Sequence, residues 1–273
     1  MNSEITLIIP DLHLRHQQAE KIIKHIGPDK IIFLGDWADD FDNTPEMVKN
    51  TAEWFVWSVN QSNRTHIYGN HECHYAFPYY KLRCSGYEQW KDFIISDIVP
   101  KETWNKIKWW YFLDDTWLLT HAGLHIGNLP KRISKLYPNK KQFYTEIDKY
   151  LRDELIKAFR DIANNQSTWM LSAGRARYGE RDVGGITWCD FNHEFKPIKG
   201  LHQIFGHSPL SQEPVWYIIR KGGKKEKYPS SMFSPIKFDD TNISCNLCLD
   251  VYGNTYYAVW NGISLEIGNY RDL

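Results

Sequence analysis

The sequence predicts an α/β fold in which parallel strands alternate with helices. Short apolar runs typical of buried strands occur at residues 5–10, 30–34 and 65–68. Segments of helical length separate these runs, at residues 17–26 and 45–59. An alternation of strand, helix and strand is typical of a parallel sheet with helices on its faces, so we expect such a sheet here.

The helix predicted at residues 17–26 has both an apolar face and a stop signal. Ala19 and Ile22 recur at helical spacing on one side of the segment. Gly27 and Pro28 follow, and this pair ends a helix because glycine leaves the helical conformation easily and proline cannot continue it. The segment therefore fits the helix of a β–α–β unit.

The rest of the chain predicts further elements of both kinds. We expect capping helices over residues 75–110, a strand at 117–120, an amphipathic helix at 140–164 and a strand at 202–205. Residues 167–178 are ambiguous, residues 184–190 fit a loop or short strand, and the Lys/Gly-rich residues 213–237 include an exposed hairpin tip or loop at 222–227. Residues 246–265 predict two or three antiparallel strands with a turn at Gly253 and Asn254. The chain has no repeat and no linker-like break, so we predict one domain spanning residues 1–273.

Composition limits the class of protein. The 273 residues have a formal net charge of zero, which argues against long-range steering by a nucleic-acid backbone. Five cysteines do not suggest a disulfide framework, and the first residues lack the basic and apolar regions of a signal peptide. No apolar run approaches the roughly 18 residues of a membrane span. We therefore expect a cytoplasmic protein with no membrane partner; its oligomeric state stays open.

Five short polar motifs follow one another along the chain, four of them at the ends of apolar runs. They are Asp11-Leu12-His13, Gly35-Asp36-Trp37-Ala38-Asp39, Gly69-Asn70-His71-Glu72, His121-Ala122-Gly123 and Gly206-His207. Each motif alone is common. Together, in this order and at strand ends, they indicate a site, because open α/β sheets bind ligands at the carboxyl ends of their strands.

The motifs contain a complete ligand set for two divalent cations. The predicted ligands are Asp11, His13 and Asp36 for the first ion and Asp36, Asn70, His121 and His207 for the second, with Asp36 bridging. Carboxylate, amide and imidazole donors suit borderline ions, so we predict two ions, Mn²⁺ foremost, with Fe, Zn or Ni as alternatives. Two ions about 3.5–4 Å apart can clamp a phosphoryl group and generate hydroxide from a shared water.

One histidine of the motifs is left over for acid chemistry. A leaving oxygen needs a proton, and His71 directly follows the ligand Asn70. A carboxylate would orient its ring and keep it charged, and Asp39 is the candidate. We therefore predict His71 and Asp39 as a catalytic general-acid pair, called the acid dyad below.

The motifs resemble those of the calcineurin-like metallophosphoesterase superfamily over roughly residues 5–265. The resemblance rests on G-D-x-x-D at 35–39, G-N-H-E at 69–72, H-A-G-L at 121–124 and G-H-S-P at 206–209. The last motif lacks the second histidine of G-H-x-H, as in the phosphoprotein-phosphatase-like branch of serine/threonine phosphatases and dinucleoside tetraphosphatases. The resemblance implies a four-layer αββα sandwich, with a dinuclear metal site at the C-terminal strand ends formed by the same ligands and the same acid dyad.

The chain departs from that branch where the branch grips phosphate. Protein phosphatases follow D-x-x-D with Arg-Gly, whereas Asp40 and Phe41 follow here. The branch also has a phosphate-binding arginine in a region comparable to residues 175–181, and guanidinium groups match phosphate oxygens well. We therefore expect Arg175 and Arg177 to bind phosphate.

The resemblance implies a hydrolase that acts on a phosphorylated partner: a phosphoprotein, a nucleotide or an RNA end. We expect hydrolysis of a phosphomonoester. Three alternatives stay open at this point: a phosphodiesterase or dinucleoside polyphosphate hydrolase, an RNA-end phosphatase, and an inactive phosphate-binding module. The absent Arg-Gly pair and the aromatic stretch at 77–110, which could stack a base, favour the first. The intact ligand set argues against the last.

Overall fold

The computed structural model describes residues 4–232, 236–237, 242–253 and 255–273. The α-helices in these ranges are α1 (His16–Ile26), α2 (Pro45–Ser58), α3 (Asn70–Ala76), α4 (Gln89–Ile98), α5 (Lys101–Trp104), α6 (Lys131–Ser134) and α7 (Lys140–Ala163). The strands are β1 (Thr6–Ile9), β2 (Lys30–Phe33), β3 (Arg64–His66), β4 (Tyr111–Leu113), β5 (Trp117–Leu119), β6 (His202–Phe205), β7 (Val215–Arg220), β8 (Lys225–Pro229), β9 (Ile236–Lys237), β10 (Asn242–Cys248), β11 (Tyr256–Trp260) and β12 (Ser264–Asn269).

The strands form two mixed sheets, each with three adjacent parallel strands. The first sheet has the order β3-β2-β1-β11-β12-β9, and β1, β2 and β3 run parallel. The second has the order β4-β5-β6-β10-β7-β8, and β5, β6 and β10 run parallel. The remaining pairings are antiparallel. Parallel neighbours end at the same edge of a sheet, so each sheet has one edge where three strand ends lie side by side.

Alternating side chains of the strands divide the core into layers. In β1, Leu7 and Ile9 pack in one buried cluster with Ile22 of α1. Ile8 points to the opposite face and belongs to the cluster that includes Trp117 and Ile204 of the second sheet. Successive strand residues point to opposite faces, so the first sheet lies between the N-terminal helices and the second sheet.

The far side of the second sheet is covered in the same way. Leu118 of β5 shares a buried cluster with Phe143, Ile147 and Leu151 of α7, whereas Leu119 faces the first sheet. The order of layers is therefore helix, sheet, sheet and helix. The predicted α/β sandwich is confirmed.

The predicted ends of the N-terminal helices have physical causes that the structure displays. Gly27 ends α1 with a left-handed backbone at φ 60°, which costs glycine little. The side chain of Thr44 caps α2 by accepting a hydrogen bond from the backbone N–H of Met47, and Pro45 occupies the first turn, where no N–H donor is needed.

The C-terminal third contains the largest departures from the predicted elements. Within residues 213–237, β7 and β8 form a hairpin whose tip holds Gly222 and Gly223, in agreement with the tip predicted at 222–227, although residues 225–227 already belong to β8. The antiparallel strands predicted over 246–265 are only partly correct: β11 and β12 pair, but β10 lies in the second sheet, between β6 and β7. Asn254 of the predicted turn lies outside the described residues.

No helix in the described ranges combines the length and the apolar character needed to cross a lipid bilayer.

Candidate active site

Polar side chains follow the C-terminal ends of the parallel strands of both sheets. Asp11 follows β1, Asp36 follows β2, Asn70 follows β3, His121 follows β5 and His207 follows β6. The structure brings these five residues and His13 together, and we call the six the ligand cluster. The acid dyad lies beside it.

Asp36 lies at the centre of the ligand cluster. Single donor atoms of Asp11, His13 and Asp36 all lie within 4.8 Å of one another, and the same holds for Asp36, His121 and His207. Asn70 joins the second group, because its Oδ1 atom lies 3.0 Å from Nε2 of His121. Asp36 is therefore common to both groups of donor atoms.

Backbone carbonyl groups orient the histidines of the cluster. Nδ1 of His121 lies 2.9 Å from the carbonyl oxygen of Leu34, and Nδ1 of His13 lies 2.8 Å from that of Asp39. A carbonyl oxygen accepts a hydrogen bond, so each Nδ1 carries a proton, and Nε2 is the ring nitrogen left to face a cation. This is the arrangement that histidine ligands of metals commonly have.

The donor set fits a cation by its charge and by its hydrogen bonding. Nε2 of His121 faces Asn70 Oδ1, Asp36 Oδ2 at 3.2 Å and Nδ1 of His207 at 3.1 Å, all atoms that can offer lone pairs. Burial raises the pKa of Asp11 to about 6, against the charge of His121, which lowers it. Buried carboxylates so close together repel each other, and a divalent cation would offset that repulsion.

Several residues of the site hold their side chains in place through an unusual backbone. His13, Asp36, Asp39 and His207 have positive φ angles of 43°, 51°, 64° and 68°. This left-handed region is uncommon outside glycine, and residues in it are enriched at functional sites because the surrounding structure must hold them there. The left-handed backbone at these four residues therefore sets the direction of their side chains.

Two glycines of the motifs are needed because the carboxylates of the cluster lie against the backbone. A Cβ atom on Gly206 would lie 1.9 Å from Oδ2 of Asp11, and one on Gly69 would lie 2.0 Å from Oδ1 of Asp36. Both distances are impossible for non-bonded atoms. The backbone N–H of His207 donates to Asp11 at 3.0 Å, and that of His71 donates to Asp36 at 3.0 Å.

Glu72 holds two of the motif loops together. This fully buried carboxylate accepts hydrogen bonds from the backbone N–H groups of Asp36, Trp37 and Gly69 at 2.8 Å each and of Ala38 at 3.2 Å. Burial and the charge of Asp36 raise the pKa of Glu72 to about 7, while the N–H donors lower it. Four donors aimed at its oxygens favour the ionised form.

The two side chains of the acid dyad are in contact. Nδ1 of His71 lies 3.0 Å from Oδ2 of Asp39, and Nε2 of His71 faces the ligand cluster, 3.9 Å from Oδ2 of Asp36. Burial alone would lower the pKa of His71, but the charges of Asp36 and Cys84 and the bond to Asp39 hold it well above its usual value. Burial would raise the pKa of Asp39, yet its bonds to His71 and His74 keep it well below the usual range.

The ligand cluster at the strand ends of two stacked mixed sheets agrees with a family comparison. Residues 6–211 match the family model of the calcineurin-like phosphoesterases. The chain belongs to this family. It is therefore a metal-dependent phosphoesterase, a hydrolase that acts on phosphorylated substrates.

Comparisons with other known proteins give more distant similarity. No curated protein sequence matches this phosphoesterase. A metallophosphoesterase from Sphaerobacter thermophilus is 15% identical over 99% of this chain and 90% of its own, with a TM-score of 0.45. A candidate diadenosine tetraphosphatase is 13% identical over 98% and 94% of the two chains, with a TM-score of 0.42. A serine/threonine phosphatase from Saccharomyces cerevisiae, described as similar to human PP5, is 13% identical over 47% and 42%, with a TM-score of 0.30.

The two arginines predicted to bind phosphate lie in different surroundings in this phosphoesterase. Nε of Arg177 donates to Oδ2 of Asp190 at 2.7 Å, and NH2 lies 3.5 Å from the carbonyl oxygen of His207. Arg175 is 74% exposed and pairs with Asp182 at 3.0 Å. The structure therefore brings Arg177 next to the ligand cluster, whereas Arg175 points its guanidinium to Asp182 at the surface.

Two groups at the site were not predicted from the sequence. Asp250 follows β10, the sixth parallel strand end, and burial together with the charge of Asp11 raises its pKa to about 8. Its signal in the sequence is a carboxylate after a strand. That signal points to the site only when β10 is known to lie beside β6 in the second sheet. Asp39 also has partners beyond His71, namely His74 Nε2 at 3.0 Å, the Tyr75 hydroxyl at 2.6 Å and Lys91 Nζ at 3.4 Å.

Proposed function

We propose that this phosphoesterase hydrolyses phosphomonoesters at the ligand cluster, with His71 as the general acid. The observation that carries the proposal is the common position of the ligand cluster and the acid dyad: Nε2 of His71 lies 3.9 Å from the central carboxylate Asp36. A leaving oxygen close to the cluster would thus be within reach of a protonated imidazole.

The six residues of the ligand cluster would hold two divalent cations, Mn²⁺ foremost, with Asp36 between them. When bound, such ions neutralise charge on the phosphoryl oxygens and lower the pKa of water. The backbone N–H groups that donate to Asp11 and Asp36 fix the direction of these carboxylates, and the carbonyl groups of Leu34 and Asp39 fix the rings of His121 and His13. A rigid ligand set of this kind favours a defined coordination geometry.

His71 would supply the proton to the leaving oxygen. The Asp39 carboxylate accepts a hydrogen bond from Nδ1–H of His71, so the acidic N–H is the one on Nε2, which points toward the ligand cluster. Asp39 is itself fixed by hydrogen bonds from His74 and Tyr75. These bonds restrict the orientation of the His71 ring and stabilise its charged form before a substrate binds.

Arg177 would contribute to phosphate binding. Its ion pair with Asp190 holds the guanidinium beside His207, and 30% of the side chain is exposed. A phosphomonoester carries up to two negative charges, so a fixed guanidinium near the cluster favours this substrate class over a diester with one charge.

The first experiment compares p-nitrophenyl phosphate with bis-p-nitrophenyl phosphate in Mn²⁺. We expect the wild type to hydrolyse the monoester and Asp36→Asn to lose both this turnover and its bound metal. The exposed control Asp97→Asn should keep both. Preferential turnover of the diester would overturn the proposed substrate class. It would favour the phosphodiesterase or dinucleoside polyphosphate hydrolase alternative.

A second experiment isolates the acid. A phosphate ester of a simple alcohol needs a proton on its leaving oxygen more than p-nitrophenyl phosphate does. In His71→Gln we therefore expect turnover of the alkyl ester to fall by about 10²–10⁴-fold and that of p-nitrophenyl phosphate by less, with metal content near that of the wild type. An equal loss for both esters would contradict the assignment of His71 as the acid.

A further inference from the structure

Beside the ligand cluster lies a second group of side chains that can bind a metal. His71 and His74 are three positions apart on α3, and Cys84 comes from the loop that follows. One donor atom from each lies within 4.8 Å of the others. We call these three residues the thiol cluster. It differs from the ligand cluster in kind, because it contains a sulfur donor.

The distances within the thiol cluster match a tetrahedral zinc site. Sγ of Cys84 lies 3.3 Å from Nδ1 of His74 and 3.8 Å from Nδ1 of His71. Zinc bonds of about 2.3 Å to sulfur and about 2.0 Å to nitrogen, at a tetrahedral angle, separate the two donors by about 3.5 Å. The observed distances lie on either side of that value, so small side-chain movements would suffice.

The hydrogen bonding of His74 prepares it as a ligand. Its Nε2 atom lies 3.0 Å from Oδ2 of Asp39, so Nε2 is the ring nitrogen that donates to this carboxylate. Nδ1 then keeps its lone pair and faces Cys84. A carboxylate that accepts from the far nitrogen of a ligating histidine is a common support of zinc sites. His74 is itself buried, which fixes the ring.

We propose that His71, His74 and Cys84 form a regulatory site for Zn²⁺, and that its occupation switches off the phosphoesterase. Binding would release two protons to solvent, the thiol proton of Cys84 and the Nδ1 proton of His71, and the metal would bond to Sγ and to both Nδ1 atoms. Nδ1 of His71 would then no longer donate to Asp39, and the acid dyad would be broken. This inhibitory effect rests on the proposed role of His71, whereas metal binding by the thiol cluster does not.

The two clusters differ in the ions they favour. The ligand cluster offers carboxylate and amide oxygens with imidazoles, donors that accept Mn²⁺. The thiol cluster offers one thiolate and two imidazoles, and thiolate donors select zinc over manganese. Zinc added to the Mn²⁺-loaded enzyme would therefore bind at the thiol cluster at concentrations too low to displace manganese.

Cobalt(II) spectroscopy tests binding without any use of activity. A cobalt–thiolate bond gives a charge-transfer band in the near ultraviolet, and neither metal-binding group of the described ligand cluster contains a cysteine. We expect this band in the Mn²⁺-loaded wild type titrated with Co²⁺, and its loss in Cys84→Ser. The matched control is Cys73→Ser, because Cys73 lies on α3 next to His74. Its thiol donates to the carbonyl oxygen of Gly69, a hydrogen bond that a hydroxyl can retain. A band that survives in Cys84→Ser, or no band in the wild type, would overturn the site.

Zinc inhibition tests the consequence. For each variant, activity is measured against its own zinc-free value in saturating Mn²⁺. We expect the zinc concentration for half inhibition to rise in Cys84→Ser by at least about 10–100-fold, because loss of a mere hydrogen-bond partner of a metal ligand already lowers metal affinity by that much. In Cys73→Ser it should stay unchanged. Equal inhibition of all three proteins would overturn regulation through this site. If the cobalt band appears but zinc does not inhibit, the site stands and the role of His71 as the acid fails.

Discussion

Glu72 provides the sharpest test of how the fold builds the site, and Glu72→Gln is the change to make. Oε1 accepts the N–H groups of Trp37 and Ala38, and Oε2 accepts those of Asp36 and Gly69. Glutamine has nearly the same shape but replaces one oxygen by an NH₂ group. That group cannot accept, so two buried N–H donors lose their partner and face another donor.

The expected loss can be worked out from those two donors. A buried donor left without a partner costs about 1–3 kcal/mol, so two of them reduce the free energy of unfolding by about 2–6 kcal/mol. A domain is commonly stable by only about 5–15 kcal/mol. Because the same N–H groups fix the backbone of Asp36, we also expect metal affinity to fall by about 10–100-fold, as for other partners of metal ligands.

Urea unfolding and metal titration measure the two effects separately. Glu53→Gln is the matched control, since Glu53 is exposed on α2 and forms a surface ion pair with Lys49 at 3.9 Å. We expect the control to unfold within about 0.5 kcal/mol of the wild type, as surface substitutions usually do. The reasoning is refuted if Glu72→Gln behaves like the control in both measurements.

Three further changes have predicted outcomes. Gly206→Ala places a Cβ against the Asp11 carboxylate and should lower the metal content measured after dialysis; unchanged content would contradict the contact. Arg177→Ala removes the guanidinium that we propose to bind phosphate. It should raise KM for a phosphomonoester about tenfold or more in steady-state kinetics, whereas the exposed Arg175→Ala should not. Burial and nearby Arg64 lower the pKa of His66 to about 3. Below about pH 6.5 the unfolded chain therefore binds a proton at this residue that the folded protein excludes. The free energy of unfolding falls as the pH decreases from there. This loss should reach about 2 kcal/mol at pH 5 and should be absent from urea unfolding of His66→Gln; identical pH profiles would contradict it.

The parts of the fold that local physics determines were predictable from the sequence. Short β-branched runs must be buried, and the polar residues directly after them must lie at the sheet edge. This reasoning gave β1, β2, β3, β5 and β6 and, with them, the positions of the ligand cluster. His71 and Asp39 were chosen from their places in the motifs, and the structure brings them to 3.0 Å from each other, while their role in acid catalysis stays a prediction.

Long-range pairing could not be predicted in the same way. Nothing local to β10 distinguishes pairing with the next strand in sequence from insertion between β6 and β7, and the latter gives Asp250 its position. The same limit applies to Lys91, whose ammonium group is buried beside Asp39 although the two lie far apart in the chain. A buried lysine has no signature in the sequence, because its stability depends on a carboxylate that only the folded chain provides.

The ligand cluster draws on both sheets, and this has a consequence for how the protein acquires its metal during synthesis. The N–H group of His207 donates to Asp11 across 196 positions of sequence. A ribosome-bound chain synthesised only as far as α3 therefore carries Asp11, His13, Asp36 and Asn70 but no partner for them from β5 or β6. Contacts of such long range form late in folding. Metal uptake would accordingly follow translation of most of the chain, and an early-captured ion would have an incomplete coordination shell from which it could exchange.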